Sequence, residues 1–252
     1  MARPVVALLH GFLGFVRWGP FEYFRGVSQA LNRTNIDHLM PEVPSAGTVA
    51  ERAEVLARKL FQTDIPIFAL VGYSMGGLDA RYLITHLDPD QRIKSLITVS
   101  TPHRGSPLAL WFLESRGLIP AYIRHIGHAG LSDLTVEACE GMHIPDRGDV
   151  RYSSYTSCRP VHELPFWLRP YGRVIGEDND GLVPVSSARW GQFCGTVRSD
   201  HMELIGWSLG LPNAHTGRPF DHRPFWTRIA AEAAAAADRQ KTPKDKDEYG
   251  SA

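Results

Sequence analysis

Residues 70–77 constrain the fold of this chain more than any other segment. They read L-V-G-Y-S-M-G-G, so an apolar run ends in the pattern G-x-S-x-G. Glycines on either side of the serine permit a sharp turn, because larger side chains there would collide with the strand and the helix that the turn joins. Residues 66–71 are apolar throughout, as in a strand buried on both faces, and residues 78–84 have helical spacing. The sequence therefore predicts a strand, a tight turn at Ser74 and a helix.

Strands and helices alternate along the rest of the chain. The predicted strands are residues 3–9, 66–71, 93–100, 150–154, 173–176 and 193–198. The predicted helices are residues 21–32, 49–60, 78–84 and 229–237, and the second has a capping-box sequence at its start. This alternation indicates an α/β fold with a mostly parallel sheet and helices on both faces. Ligands of such sheets bind at the carboxyl ends of the strands.

One segment breaks the alternation. Residues 104–148 are rich in glycine, histidine and short apolar runs, and we predict that they form a lid or cap insertion. The alternative is an ordinary pair of helices that pack on the core. We assign residues 1–240 to a single domain and the charged residues 241–252 to a disordered tail.

Composition excludes several classes of partner. The 252 residues include 27 basic and 27 acidic side chains, so charge gives no reason to expect nucleic acid. No apolar stretch is long enough to cross a bilayer. The apolar residues 5–9 lead into His10-Gly11 rather than a cleavage site, so we predict a cytoplasmic protein, whereas a secreted form would need a leader. Three widely spaced cysteines favour buried free thiols over a zinc site or a disulfide framework, although one pair could bridge.

A serine hydroxyl is a poor nucleophile near neutral pH and needs a base, which in turn needs an acid to orient it. On this kind of fold the chain order is serine, then aspartate or glutamate, then histidine. Asp180 lies in an N-D-G turn after the strand predicted to end at residue 176, and it is our candidate acid. Asp178 is the alternative, and an aspartate that only caps its own turn is a common structural explanation.

The base must be one of eleven histidines. His201 follows the last predicted strand and lies in the required order after Asp180. His215 and His222 lie later, in a segment rich in proline and glycine, and His162 precedes Asp180. We therefore predict His201 as the base.

The tetrahedral intermediate of acyl transfer needs two fixed backbone N–H groups, which form an oxyanion hole. One should belong to Met75, the residue after Ser74. The other should come from the loop after the first strand, where we choose Phe12. We expect the His10 side chain to brace that loop rather than to take part in the chemistry.

Together these segments resemble the α/β-hydrolase superfamily, and within it the bacterial triacylglycerol lipases of the pseudomonad and Proteus type. The matching segments are H-G-F-L-G at residues 10–14, G-Y-S-M-G-G-L-D-A-R at 72–81, T-P-H-R-G-S at 101–106, N-D-G-L-V at 179–183 and D-H at 200–201. The resemblance implies an α/β-hydrolase fold with a lid and hydrolysis of acyl esters. It implies Ser74, Asp180 and His201 as the catalytic triad and Phe12 and Met75 as the oxyanion hole.

The chain departs from those lipases at two positions. They often hold a structural calcium ion with an aspartate two residues after the histidine, where this chain has Glu203 and no second carboxylate that we can identify. We therefore predict no cofactor and no metal, with a structural calcium as the alternative. Tyr73 also replaces the histidine that is common before the serine.

We predict a serine hydrolase of carboxylic esters, a lipase or esterase, whose partner is a small acyl ester or lipid and which has no nucleic-acid partner. Contact with a lipid interface is part of this expectation. The residues that could line an acyl pocket, or simply pack in the core, are Phe12, Leu13, Phe15, Trp18, Phe21, Trp111 and Phe112. The alternatives are a thioesterase, phospholipase or acyltransferase with the same triad, and a non-catalytic binding protein of the same fold.

Overall fold

The computed structural model describes residues 3–207, 217 and 220–240. Its strands are β1 (Val5–Leu9), β2 (Arg17–Trp18), β3 (Phe21–Glu22), β4 (His38–Leu39), β5 (Phe68–Tyr73), β6 (Ile93–Val99), β7 (Arg151–Ser157) and β8 (Gln192–Val197). Its α-helices are α1 (Val27–Arg33), α2 (Val49–Phe61), α3 (Met75–His86), α4 (Pro107–Glu114), α5 (Leu118–Asp133), α6 (Val136–Gly141), α7 (Arg169–Ile175), α8 (Val185–Ala188) and α9 (Arg223–Gln240).

Six strands form one parallel sheet in the order β4-β1-β5-β6-β7-β8. The chain runs from β1 to β4 on one side and then crosses to β5 on the other side, so the strand order reverses between β1 and β5. Ligands of parallel sheets bind beyond the carboxyl ends of the strands at such a reversal. Ser74 follows the last residue of β5 and therefore lies at this point.

Helices cover both faces of the sheet, as the sequence predicted. On one face α1 and α9 pack against β1 and β5, and Trp226 of α9 is fully buried there. On the other face α2 and α3 supply Leu56 and Leu83, which are also fully buried. Every residue of β5 is buried, which explains why its sequence is apolar without alternation.

The predicted capping box at the start of α2 is confirmed. The Thr48 hydroxyl accepts a hydrogen bond from the Glu51 N–H at 3.1 Å, and the Glu51 carboxylate accepts one from the Thr48 N–H at 2.9 Å. These two bonds satisfy backbone donors that the first turn of a helix cannot satisfy internally.

The strand predicted at residues 173–176 is wrong, because this segment is the end of helix α7. Pro170 lies in the first turn of α7, where its missing N–H costs nothing, and Gly176 ends the helix in a left-handed conformation with φ of 76°. Tyr171, Val174 and Ile175 are spaced by three and four residues, and they pack on the cluster that α4 and α5 form. The short apolar run was thus one side of a helix.

The helix predicted at residues 21–32 begins later, at Val27. Gly26, with φ of 68°, is left-handed and cannot continue a right-handed helix toward the N-terminus. Residues Phe21–Glu22 pair instead with Arg17–Trp18 as a small antiparallel hairpin.

The segment 104–148 contains α4, α5 and α6. Its movement as a lid stays a prediction, as does the division of the chain into one domain and a tail, because residues 241–252 lie outside the described residues. Cys139 is buried, Cys158 half-buried and Cys194 exposed, so the prediction of buried thiols is wrong for Cys194. No helix in the described part of the chain is long and apolar enough to span a membrane.

Replacing Gly176 with alanine tests the helical end of α7. A Cβ atom at Gly176 would meet no other atom within 4 Å, so any cost comes from the left-handed backbone alone. We expect the free energy of unfolding, measured by urea denaturation, to fall by about 1 kcal/mol. Gly148 has equally open surroundings without a left-handed backbone, so Gly148→Ala is the matched control and should not lower stability. Equal stability of the two variants would contradict this assignment.

Candidate active site

Ser74 occupies a strained turn between β5 and α3. Its φ of 53° and ψ of −131° are rare for a residue with a side chain. A Cβ atom at Gly72 would lie 2.5 Å from the Gly77 Cα, and one at Gly76 would lie 2.6 Å from the Leu9 carbonyl oxygen. Backbone atoms would have to move to admit either methyl group. The two glycines therefore serve the steric purpose that the sequence motif predicts.

A cavity of about 420 Å³ opens beside Ser74, and its size is typical of small-molecule sites. Ser74, His201 and Phe12 all line it. Helices α4 and α5 provide much of its apolar wall, through Leu108, Ala109, Phe112, Ile123 and Leu131. The cavity can therefore hold an apolar group next to the Ser74 hydroxyl.

His201 and Asp180 are joined by a buried hydrogen bond, in which Nδ1 of His201 lies 2.7 Å from Oδ2 of Asp180. The same carboxylate accepts hydrogen bonds from the Ser157 hydroxyl at 2.7 Å and from the N–H of Val183 at 2.8 Å. Burial acts to raise the pKa of Asp180, but His201 and these donors outweigh it and hold the pKa below its usual value. The carboxylate is therefore ionised and can orient the imidazole.

Asp180 reaches this position by a route that the sequence did not predict. It follows helix α7 rather than a strand, and its loop passes the carboxyl end of β7, where Ser157 is the last residue. The Arg159 N–H donates to the Asn179 carbonyl oxygen at 3.0 Å and fixes the loop there. Asp178, the alternative acid, is exposed.

Tyr73 holds the backbone of His201. Its buried hydroxyl donates to the His201 carbonyl oxygen at 2.5 Å, and the two rings lie 4.8 Å apart. The His201 N–H donates to the Asp180 carbonyl oxygen at 2.9 Å. The sequence marked Tyr73 only as a departure from a common histidine, although a tyrosine at the end of a buried strand signals a polar partner.

The other candidate histidines lie elsewhere. His162 is 82% exposed, and a ring nitrogen of His222 lies 2.7 Å from the Arg25 carbonyl oxygen. His215 lies outside the described residues. Of the described candidates, His201 is the one that meets both the acid and the cavity.

The loop after β1 engages several of its backbone N–H groups in hydrogen bonds. Three of its N–H groups donate to protein atoms at distances between 2.6 and 3.2 Å, namely those of Gly11, Leu13 and Gly14. Among the residues that the structure describes, the N–H of Phe12 has no acceptor. Met75 is the first residue of α3, so its N–H also has no acceptor within the helix. Both predicted oxyanion donors are thus available for a ligand.

His10 braces this loop in the way the sequence suggested. Its Nε2 accepts a hydrogen bond from the Val43 N–H at 3.2 Å, so the neutral ring carries its proton on Nδ1 and donates to the Gly11 carbonyl oxygen at 3.0 Å. Burial, helped by the charge of Arg52, lowers the pKa of His10 to about 4. The ring is therefore neutral near pH 7.

Arg52 ties the same loop to the helices behind it, a role that the sequence did not reveal. Its guanidinium is fully buried, 2.7 Å from Oδ2 of Asp79 in α3, and it donates to the carbonyl oxygens of His10 at 2.8 Å and Pro44 at 2.7 Å. Burial raises the pKa of Asp79 to about 6, although the Arg52 charge acts in the opposite direction. The one sequence signal for its burial is its spacing, which places Arg52 on the same side of α2 as the buried apolar residues Val49 and Leu56.

Four of the seven residues predicted for the acyl pocket line the cavity, namely Phe12, Leu13, Phe15 and Phe112. The prediction is wrong for Trp18, Phe21 and Trp111. The first two lie on the β2–β3 hairpin and are 76% and 49% exposed, and Trp111 packs against Tyr171. Trp111 and Phe112 are neighbours on helix α4, so their side chains point in different directions, and Phe112 is the one that lines the cavity.

The residues near His201 do not fit a calcium ion. Glu203 is at the position that the resemblance assigns to a calcium ligand. Its carboxylate lies 2.8 Å from the Arg159 guanidinium, and the Asp200 carboxylate lies 3.4 Å from the same guanidinium. No cluster of three or more potential ligand side chains occurs in the described part of the chain. The guanidinium of Arg159 therefore lies where a cation would have to bind this acidic pair.

A parallel sheet with a strained serine turn after β5, an acidic loop beyond β7 and a histidine beyond β8 is the α/β-hydrolase fold. Lipase BlEst2 of Bacillus licheniformis in its mature form shares this fold, with a TM-score of 0.70 and 20% identity over 91% of this chain and 92% of that one. This chain thus has the α/β-hydrolase fold, which that lipase shares.

Sequence comparisons find similarity to two lipases over part of their length. Triacylglycerol lipase 2 of Saccharomyces cerevisiae is 31% identical over 214 residues, which are 75% of this chain and 64% of that protein. A triacylglycerol lipase of Pseudomonas fragi is 34% identical over 111 residues, or 42% of this chain and 37% of that protein. The chain thus spans less than two thirds of either relative. A family model described as a PGAP1-like alpha/beta domain matches residues 57–114.

Stability should fall on acidification because His10 is buried and neutral. Its pKa is about 4 in the folded protein and about 6.5 in the unfolded chain, so between these values the unfolded chain binds more protons and stability falls as pH falls. From pH 7 to pH 4 this loss is about 3 kcal/mol. Glutamine can keep both hydrogen bonds without titrating. Between pH 7 and pH 4 the free energy of unfolding of His10→Gln, measured by urea denaturation, should therefore fall by about 3 kcal/mol less than that of the parent protein. Parallel pH dependence of the two proteins would refute this.

Proposed function

We propose that the protein is a serine hydrolase of carboxylic esters that acts through an acyl-enzyme. The observation that carries the proposal is the buried 2.7 Å hydrogen bond between His201 and Asp180, because this histidine lines the same cavity as Ser74. A histidine that is fixed by a carboxylate and lines the same apolar cavity as a serine is the arrangement that nucleophilic acyl transfer needs.

In the first half of the reaction the Ser74 Oγ attacks the acyl carbonyl carbon. His201 takes the hydroxyl proton on Nε2, while Asp180 holds the Nδ1–H and stabilises the imidazolium. The N–H groups of Phe12 and Met75 bind the oxyanion that forms. The imidazolium then gives its proton to the alkoxy oxygen, and the alcohol leaves.

The second half repeats these roles with water. His201 removes a proton from a water molecule, which attacks the acyl carbon of the Ser74 ester. The oxyanion again accepts from Phe12 and Met75. When the intermediate collapses, the proton returns to Ser74 Oγ and the carboxylic acid is released.

The cavity supports an apolar acyl group as substrate. Its walls are almost entirely aliphatic and aromatic, and the relatives named above are triacylglycerol lipases. Exposed apolar side chains on α5, Leu118, Ile119 and Tyr122, precede Ile123, which lines the cavity. These exposed residues support contact with a lipid surface near the entrance.

Replacing Ser74 with alanine should abolish turnover. We expect hydrolysis of p-nitrophenyl esters to fall by at least about 1,000-fold and labelling by a fluorophosphonate to disappear, because the nucleophile is lost. Ser186 is exposed, and Ser186→Ala is the matched control that should retain both activities. Turnover by Ser74→Ala at the parental rate would overturn the assignment.

Narrowing the cavity should change the preferred acyl chain. Leu131 lies on the cavity wall, so Leu131→Trp should lower kcat/KM for long-chain esters by at least about 10-fold more than for acetate. Leu110 is 49% exposed and serves as the control position in Leu110→Trp. The same measurements are made on three further substrates: emulsified triglyceride, phospholipid and acyl-CoA thioester. A preference for a thioester or phospholipid would favour those alternatives, and an unchanged chain-length profile would place the acyl group elsewhere.

A further inference from the structure

Arg159 is a buried arginine beside the histidine loop, and the proposed mechanism does not use it. Its side chain is 3% exposed. The guanidinium lies 2.8 Å from Oε2 of Glu203 and 3.4 Å from Oδ2 of Asp200, and both carboxylates are almost fully buried. Asp200 immediately precedes His201, and Glu203 follows it by two residues. The arginine therefore binds the histidine loop on both sides of His201.

The same arginine also contacts the loop of the acid. Its backbone N–H donates to the carbonyl oxygen of Asn179 at 3.0 Å, and Asn179 is the neighbour of Asp180. Arg159 follows β7 by two residues, and the sheet thus supports both contacts. Its backbone thus binds the loop that carries Asp180, and its side chain binds the loop that carries His201.

The acidic residues shape the histidine loop directly. Oδ1 of Asp200 accepts the N–H groups of Met202 at 2.9 Å and Glu203 at 3.0 Å, which closes the short turn after His201. Its Oδ2 is the atom that faces Arg159. The turn and the ion pair thus share one carboxylate, so a shift of that carboxylate would move the His201 backbone.

Charge makes this turn depend on a cation. Burial and repulsion from Asp200 raise the pKa of Glu203, and burial raises that of Asp200, while Arg159 opposes both effects. Without the guanidinium, two carboxylates would lie close together in the interior. Buried charges that lose their partner are strongly destabilising, so the loop would rearrange to reach water.

We propose that Arg159 is a positioning residue that fixes His201 against Asp180, and that its guanidinium fulfils the role the resemblance assigns to a calcium ion. This inference rests on the proposed function. It implies that the active protein needs no divalent cation, because the acidic pair already has its counter-charge.

The test removes the guanidinium and then supplies it from solution. Arg159→Met keeps an unbranched apolar stem but removes the guanidinium. We expect kcat for a p-nitrophenyl ester to fall about 100-fold with KM changed less than about 3-fold, because small misplacement of a catalytic group costs about that much. Millimolar guanidinium chloride should restore at least about a tenth of the lost activity, whereas equal sodium chloride should not. In Arg159→Lys the kcat should fall less, by about 10-fold, because lysine retains the positive charge.

Controls separate this role from general stability. Arg228 pairs with Glu232 at the surface, and Arg228→Met should leave kcat unchanged. The far-downfield proton NMR signal of the His201 Nδ1–H should be present in the parent, disappear in Arg159→Met and return with guanidinium. This readout does not require turnover. Treatment of the parent with EDTA should change its kcat less than about 2-fold.

Each outcome has a distinct meaning. An Arg159→Met variant with parental kcat and NMR signal overturns the positioning role, and so does an inactive folded variant that guanidinium and lysine both fail to rescue. If EDTA abolishes the activity of the parent and added calcium restores it, the proposal that the guanidinium replaces a calcium ion is wrong. A parent that hydrolyses no ester contradicts the proposed function instead, and in that case the NMR comparison alone decides on Arg159.

Discussion

The arrangement of the site depends on how closely helix α3 packs on the strands that precede it. At Gly76 the backbone of α3 passes the carbonyl oxygens of Leu9 and His10, so closely that a methyl group would lie 2.6 and 2.7 Å from them. β1 and β5 are paired strands whose carboxyl ends lie side by side, and this contact sets the start of α3 against the loop after β1. Ser74 and Phe12 therefore line one cavity. The left-handed backbone of Ser74 is the local cost of this packing, which the surrounding sheet and helices stabilise.

Buried arginines hold the loops that the sheet alone cannot fix. Arg52 joins Asp79 to the carbonyl oxygen of His10, behind the Phe12 loop. Arg159 joins the two loops that carry Asp180 and His201. Each guanidinium has several donors in a rigid plane and can therefore bind a carboxylate and carbonyl oxygens at the same time. These contacts fix the positions of the loops at the ends of the strands, and a reacting centre needs groups that are fixed in this way.

The local parts of this site could be predicted from sequence, and the long-range parts could not. The glycines around Ser74 and the capping box at Thr48 act within a few residues, so their pattern carries the prediction. The strand predicted before Asp180 is wrong because a four-residue segment with two adjacent apolar side chains, Val174 and Ile175, fits a strand or one side of a helix equally well. The contacts of Tyr73 and Arg159 with the histidine loop span 128 and 44 residues of chain, and no local pattern indicates them.

The most direct test of the proposed mechanism is the structure of the protein after reaction with an ethyl p-nitrophenyl alkylphosphonate, which loses p-nitrophenolate and then imitates the tetrahedral intermediate. We predict a covalent bond from phosphorus to Ser74 Oγ, with the phosphonyl oxygen about 3 Å from the N–H groups of Phe12 and Met75. His201 should lie within hydrogen-bond distance of the remaining ester oxygen, and the alkyl chain should fill the cavity beside α4 and α5. Phosphorus bound to another residue, or an oxygen directed away from both N–H groups, would contradict the account.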